Sequence, residues 1–426
     1  MYFSGGRNLS KKNKSRKMKE QQKIISRRRN TNKYYLKGGH VYNNIAQLAS
    51  QQEKDNFSKN IVLIIDPQND FSDSNTTERT QPGSLAVPGA SSDYSKIIDF
   101  IRNNPIDEVH VSLDTHNERH IGHPAFWDRI SADGQRTPAD DTDGLTILSI
   151  NAENIITGFH IIRQTTTQYI PRIYERESYD ALCEYVYNYL NFYSSTENKH
   201  NQLAWIWPNH CLEGTRGHFI AQELQTFLSE WERSREGNIV KYHIKGQNNL
   251  AEMYSIFSAE KPVSITESYV LRSYLYTGNG VNISPPTGSD TYEKTNNLIN
   301  LETAFNHELM SQLLGDNNRV FICGEAKTHC VKSSIIDLME HASKSSKPVI
   351  SSRIVLLVNM SSPIPGVPDD IENIVIETGY SVFNGKNVNV QEVVECSQFN
   401  NNMSECIKQK PRCLYTLKSR KCINKI

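Results

Sequence analysis

No stretch of this chain is apolar for long enough to cross a membrane. The longest run, Ile61–Ile65, is strand-sized, against the roughly 18–20 residues a spanning helix needs. The N-terminus also lacks the apolar stretch of a secretory signal. These absences favour an intracellular protein, cytoplasmic or nuclear. Net charge is missing as well: 47 basic and 47 acidic residues give +0, which excludes a strongly basic nucleic-acid binder taken as a whole. Cysteine is sparse, eight in 426 residues, so the chain is not a disulfide-dense scaffold. Apolar residues are also few, 37% with a mean hydropathy of −0.57. That is low for a compact globule and points to polar tails around an ordinary core. No internal repeat is evident.

What is present is unevenly spread. Residues 1–40 hold thirteen basic side chains, from Arg7 to Lys37, against the single acid Glu20, so this arm carries +12 and the rest of the chain −12. A segment so charged and so poor in apolar residues cannot bury enough surface to offset its chain entropy. It reads as a disordered arm, either a solvated tail or a contact for polyanions or nuclear import through residues 11–29. Residues 391–426 form a second tail holding four of the eight cysteines, Cys396, Cys406, Cys413 and Cys422. Their spacing is not that of a common zinc site; two disulfides or four reduced thiols both fit.

Between the tails, across 41–390, short β-branched runs alternate with helix-sized stretches. The runs are Ile61–Asp66, Val109–Asp114, Leu203–Ile206, Ile239–Ile244, Val320–Gly324 and Ile354–Val358. The expected helices are Ser91–Asn103, Tyr179–Phe192, Gly217–Arg233, Leu301–Leu314 and Cys330–Ser343. This alternation predicts a three-layer αβα fold around a mostly parallel, doubly wound sheet, with helices on both faces and an insertion around 125–200. In such sheets ligands sit outside the carboxyl ends of the strands.

The residues just past those ends carry the chemistry. The first run ends IIDPQNDF and delivers Asp66. The second ends SLDTHNERHIGHP and delivers Asp114, His116, His120 and His123. The third gives WPNHCLEGTRG with His210, the fourth HIKGQ with Lys245, and the fifth CGEAKTHCV with Cys330. Each alone has an ordinary explanation: a turn-capping acid, a solvent-facing histidine, a small buried thiol. Their coincidence at successive strand ends does not. Asp and His sharing one loop suit a cation.

These motifs resemble the isochorismatase-like cysteine hydrolases, and among them the nicotinamidases. The resemblance runs from Asn60 to Val358 with five motifs in order. It implies Cys330 as nucleophile, Asp66 as general acid/base and Lys245 as third member of a triad. It implies an oxyanion hole from the amides of Ala326 and Cys330, with a cis peptide between Glu325 and Ala326. Positive potential from Lys245 and a helix N-terminus should favour the Cys330 thiolate. The implied metal ligands are Asp114, His116, His210 and His120, with His123 as the competing choice. The metal would be one divalent transition ion, Zn²⁺ first, Fe²⁺ or Mn²⁺ otherwise. Phe71, Trp207 and Tyr254 fall where family members pack the substrate ring.

The implied reaction is hydrolysis of nicotinamide to nicotinate and ammonia through a thioester, with a small-molecule amide as partner, no membrane, and a homo-oligomer as an option. Alternatives are another small carboxamide, isochorismatase-type hydrolysis, or a non-catalytic binding protein on the same fold. Two departures bear on substrate: Thr328 stands where the family often has Asp, and the 124–204 stretch is long.

Overall fold

The computed structural model describes residues 39–44, 47, 57–73, 82–131, 133–150, 156–160, 166–172, 179–263, 303–344, 350–385, 413–416 and 421–424. Its strands are β1 (Val41–Tyr42), β2 (Asn60–Ile65), β3 (Glu108–Asp114), β4 (Trp127–Ile130), β5 (Arg136–Pro138), β6 (Thr146–Ile150), β7 (Ile156–His160), β8 (Thr166–Pro171), β9 (Ala204–Ile206), β10 (Ile239–Lys245), β11 (Arg319–Gly324), β12 (Ile354–Leu357), β13 (Ser381–Phe383), β14 (Cys413–Thr416) and β15 (Lys421–Asn424). Its helices are α1 (Ala90–Asn103), α2 (Tyr179–Tyr193), α3 (Gln222–Ser234), α4 (His307–Leu314), α5 (Lys332–Ser343) and α6 (Ile371–Glu377).

The main sheet has seven strands in the order β1-β13-β12-β11-β2-β3-β10, and every pairing in it is parallel. β2, β11 and β12 are buried at every position. That happens only when both faces of a sheet are covered, and it explains why these strands read as unbroken apolar runs. Amphipathic helices supply the cover. α1 buries Tyr94, Ile97, Ile98 and Ile101, spaced as one face of a helix. Its Phe100 meets Phe321 of β11 edge-on at 5.2 Å.

From β2 the chain moves outward to β3 and β10, then returns to lay β11 on the other side of β2 before moving out through β12 and β13. The strand order therefore reverses between β2 and β11, whose ends Ile65 and Gly324 lie side by side. Such a reversal opens the crevice where ligands bind. Gly324 has φ 106°, and a Cβ there would sit 2.1 Å from the Ile65 carbonyl oxygen. Only glycine lets the two strand ends approach this closely.

The second sheet has the order β5-β4-β8-β7-β6-β9. It packs with α2 around Trp127, Tyr169, Leu182, Val186 and Leu190, a cluster shared with Leu250, Ala251 and Met253 from the loop after β10. Here one sequence expectation fails. The Leu203–Ile206 run does not join the parallel sheet; Ala204–Ile206 pair antiparallel with β6. A three-residue apolar run carries no information about which sheet it enters, and the inserted strands offer the nearer partner.

Two helix starts also move. α4 begins at His307, not near Leu301, because the Asn306 side chain accepts from the Leu309 N–H at 2.9 Å and caps it there. α3 begins at Gln222; residues 216–218 make one 3-10 turn. β14 and β15 form an antiparallel pair. Residues 1–38 of the basic arm (1–40) and the rest of the cysteine tail lie outside the described residues.

Candidate active site and metal centre

Asp66 follows β2 directly, in the left-handed region at φ 44° and fully buried. The Ser112 hydroxyl donates to its Oδ1 at 2.6 Å, and its own N–H donates back to Ser112 Oγ at 3.0 Å. The turn aims the carboxylate across the reversal point. Lys245, the last residue of β10, arrives from the other side with 3% exposure. Its Nζ lies 3.0 Å from Asp66 Oδ2, 3.0 Å from Asp114 Oδ1, 2.9 Å from the Met253 carbonyl oxygen and 3.7 Å from Cys330 Sγ. One ammonium thus touches the three side chains that the sequence placed on separate strands.

Cys330 sits in a π turn, Lys327–Val331, just ahead of α5. The Ala326 carbonyl accepts from the His329 and Val331 N–H groups at 3.0 and 3.2 Å, which closes the turn. The Glu325–Ala326 peptide is cis.

The charges here are set by burial against pairing. Burial opposes a charge on Lys245, but Asp114 and Asp66 outweigh it and hold the ammonium charged well above its usual range. Burial pushes the Asp66 carboxyl up, with Lys245 pulling the other way. Burial also pushes the Cys330 thiol well up, and Lys245 only partly compensates. This corrects the expected resting thiolate. Buried Cys330 therefore favours the neutral thiol.

Three imidazoles form a second cluster beside this group. The ring centres of His116, His123 and His210 lie 5.0 Å apart in each pair, and all three are buried. Each can place a ligand nitrogen within 4.8 Å of the others. His116 Nδ1 donates to the Gly246 carbonyl at 3.0 Å, and His210 Nδ1 to that of Pro208 at 2.8 Å. Those bonds leave both Nε2 atoms facing Asp114 Oδ2, at 2.9 and 3.5 Å. His123 Nδ1 is buried without a hydrogen-bond partner. Lone pairs turned toward a buried carboxylate need a cation or protons between them, so the donor set fits a divalent transition metal.

His120 does not belong to the trio. Its Nε2 donates to the Ala251 carbonyl at 3.2 Å and its Nδ1 accepts from the Gly122 N–H at 3.1 Å, so both nitrogens are taken by backbone. Among the described residues the three-histidine group that could hold a metal contains His123 and not the expected His120, although the His120 ring centre lies 4.2 Å from that of His116. Spacing alone could not separate two histidines on one loop.

The aromatic residues also gather. Trp207 Nε1 donates to the Tyr254 hydroxyl at 3.1 Å, with the rings nearly perpendicular. His329 meets both rings, at 5.1 and 5.3 Å. Phe71 lies edge-on to His210 at 5.6 Å, on the side of the histidine cluster.

Several working residues were missed in the sequence. Gln68, inside DPQNDF, donates from Nε2 to the Asp114 and His218 carbonyls and accepts from the Asp114 N–H at 2.7 Å, fixing that loop. Ser112, two residues before Asp114, anchors Asp66. Glu252 is buried, acts electrostatically on His116 and His210, and has an unpartnered Oε2. Its signal was its place in the loop that follows Lys245.

Fold and site together define a three-layer α/β protein with a buried Cys-Asp-Lys group next to a histidine cluster, at the carboxyl ends of a parallel sheet. The chain is similar in structure to the yeast nicotinamidase Pnc1p bound to the inhibitor nicotinaldehyde, at 15% identity and a TM-score of 0.40, covering 76% of this chain and 99% of that one. It is also similar to the pyrazinamidase of Pyrococcus horikoshii in complex with zinc, at 15% identity and a TM-score of 0.35, over 76% and 98%. A third is the N-carbamoylsarcosine amidase of Thermoplasma acidophilum, at 12% identity and a TM-score of 0.32, over 76% and 95%. Neither a scan against protein-family models nor a search of curated proteins gave a match.

Proposed function

We propose that this protein is a cysteine amidohydrolase of the isochorismatase-like kind, acting on a small carboxamide, with nicotinamide as the first candidate. The observation that carries this reading is the single Lys245 ammonium in contact with Asp66, Asp114 and Cys330. Such an arrangement suits a thiol that must ionise only in the presence of substrate.

Asp66 takes the thiol proton as Sγ attacks the carboxamide carbon. The carbonyl oxygen becomes an oxyanion, and the amides of Ala326 and Cys330 receive it. Asp66 then passes its proton to the departing nitrogen; the C–N bond breaks, ammonia leaves and a thioester remains. Water loses a proton to Asp66 and attacks the thioester; the C–S bond breaks, the acid is released and the proton returns to sulfur. Lys245 steadies the negative charge that moves between Asp66 and Cys330.

Asp114, His116 and His210 would hold a divalent metal, with His123 as the further imidazole. When bound, that ion supplies a Lewis acid that orients a water or a pyridine nitrogen of the substrate. Trp207, Tyr254 and Phe71 offer faces and edges for a flat heteroaromatic ring.

The test is ammonia release from nicotinamide, pyrazinamide and aliphatic amides, with and without chelator. Cys330→Ala should abolish release while the chain stays folded. Cys211→Ala should keep most of it, since Lys245 Nζ reaches Sγ of Cys330, at 3.7 Å, and not that of Cys211, although Cys211 stands next to His210. Activity above a few per cent in Cys330→Ala would end the mechanism.

A further inference from the structure

The inserted segment reaches the catalytic machinery at a buried ionic cluster that the proposed reaction does not use. His200 lies just before β9 and is 1% exposed. Its Nδ1 donates to Glu260 Oε2 at 2.7 Å and its Nε2 to Asp337 Oδ1 at 3.0 Å. A ring that donates from both nitrogens to two carboxylates is an imidazolium. Asp337 lies on α5, the helix that follows Cys330. Glu260 lies in the loop after β10, the same loop that holds Lys245 through the Met253 carbonyl and carries Tyr254.

Further bonds tie these segments at the same point. Ser255 Oγ donates to Asp337 Oδ2 at 2.6 Å, and the Ile256 N–H donates to Ser334 Oγ at 3.1 Å. The Glu260 N–H donates to the Glu252 carbonyl at 3.0 Å. Gln202, two residues past His200, donates to the Thr328 carbonyl, in the turn of the nucleophile, at 3.1 Å. Among the described residues, the further charges at this cluster are Lys199 on its own segment, paired with Asp337, and Glu340 on α5, 3.6 Å from Lys199.

We propose that His200 is a positioning residue for the nucleophile. Its ring clasps the 252–260 loop to α5 and so fixes the distance between Lys245 and Cys330. This rests on the amidase reading for its effect on turnover, but not for its effect on the thiol. Without the clasp, Glu260 and Asp337 would be two buried carboxylates facing each other, and the loop would move away from the helix. Lys245 would follow the Met253 carbonyl. Displacements of about 1 Å at a reacting group can cost on the order of 100-fold in rate.

Burial opposes the charge on His200, but Glu260 and Asp337 outweigh it and raise the imidazole to about 9. The clasp should therefore hold at neutral pH and open as pH rises through that value.

The experiment compares full-length wild type, His200→Gln, His200→Lys and Glu260→Gln. Two readouts are taken: kcat and KM for the best amide, and the rate at which iodoacetamide alkylates Cys330, located by mass spectrometry. His200→Gln should lower both kcat and the alkylation rate by about tenfold or more, with KM changed by less than about threefold. His200→Lys, which keeps a cation, should recover most of the loss, and Glu260→Gln should fall between. In wild type kcat should drop above pH about 9, and that limb should shift upward in His200→Lys.

If no amide is turned over but alkylation still differs among the variants, the clasp stands and the amidase reading falls. If the variants do not fold, the wild-type kcat profile decides: a profile flat through pH 10 overturns the proposal. So does a folded His200→Gln with wild-type alkylation and kcat.

Discussion

Cys330, Lys245 and Asp66 show how burial changes the meaning of a residue type. A cysteine beside a lysine at a helix start suggests a resting thiolate, but here desolvation outweighs the ammonium and keeps the proton on sulfur. The histidines show the same principle from the other side. His120 and His123 are three residues apart on one loop, and only their hydrogen bonds separate them. His120→Gln should therefore leave metal content nearly unchanged, whereas His123→Ala should weaken metal binding on the order of 10–100-fold, as loss of a group within a metal site does. Metal analysis of the purified variants after dialysis against graded chelator checks this, and equal loss in both would return His120 to the ligand set.

At the scale of elements, the strand ends carry most of what the sequence made readable. β2 and β11 were legible because strands buried on both faces run nearly unbroken in apolar residues, so the residues that follow them stand out; β3, EVHVSLD, buries Glu108, His110 and Ser112 and was read only over Val109–Asp114. β10 was legible as the Ile239–Ile244 run and its HIKGQ ending, although its faces are not evenly buried. It is the edge strand, its burial is patchy, and its exposed Ile239, Tyr242 and Ile244 read like core positions. β9 was misplaced because Ala204–Ile206 is too short to show whether its partner runs parallel or antiparallel. Ser112 was not legible, because a supporting hydrogen bond across the sheet leaves no local pattern; Gln68 and Glu252 lay inside recognisable segments, but nothing local marked the parts they play. Gly324 is the element-scale weak point. Gly324→Ala would place a Cβ against the Ile65 carbonyl at a left-handed φ, and should cost about 3 kcal/mol or more. A denaturant titration measures this, and a loss under about 1 kcal/mol would mean that the two strand ends can separate without penalty.

For the whole molecule, the charge is divided along the chain: +12 in residues 1–40 and −12 in the rest. We propose that the arm is the part that meets polyanions. Retention on heparin should fall steeply with salt, because binding releases one counterion for nearly every charge neutralised. Replacing Arg27, Arg28 and Arg29 by alanine should reduce that slope by about three and leave turnover unchanged. A slope that does not change would remove the electrostatic reading of the arm.

The reversal of strand order between β2 and β11 also has a consequence in time. β11 is an inner strand of the sheet, yet it is specified near residue 320, long after β2, β3 and β10 have left the ribosome. Until then the nascent chain carries a half-sheet whose β2 flank, six residues of which five are apolar, has unpaired N–H and C=O groups and no neighbour. The long sequence separation of that pairing makes its closure slow, and the waiting half-sheet is the species most open to chaperones and to self-association.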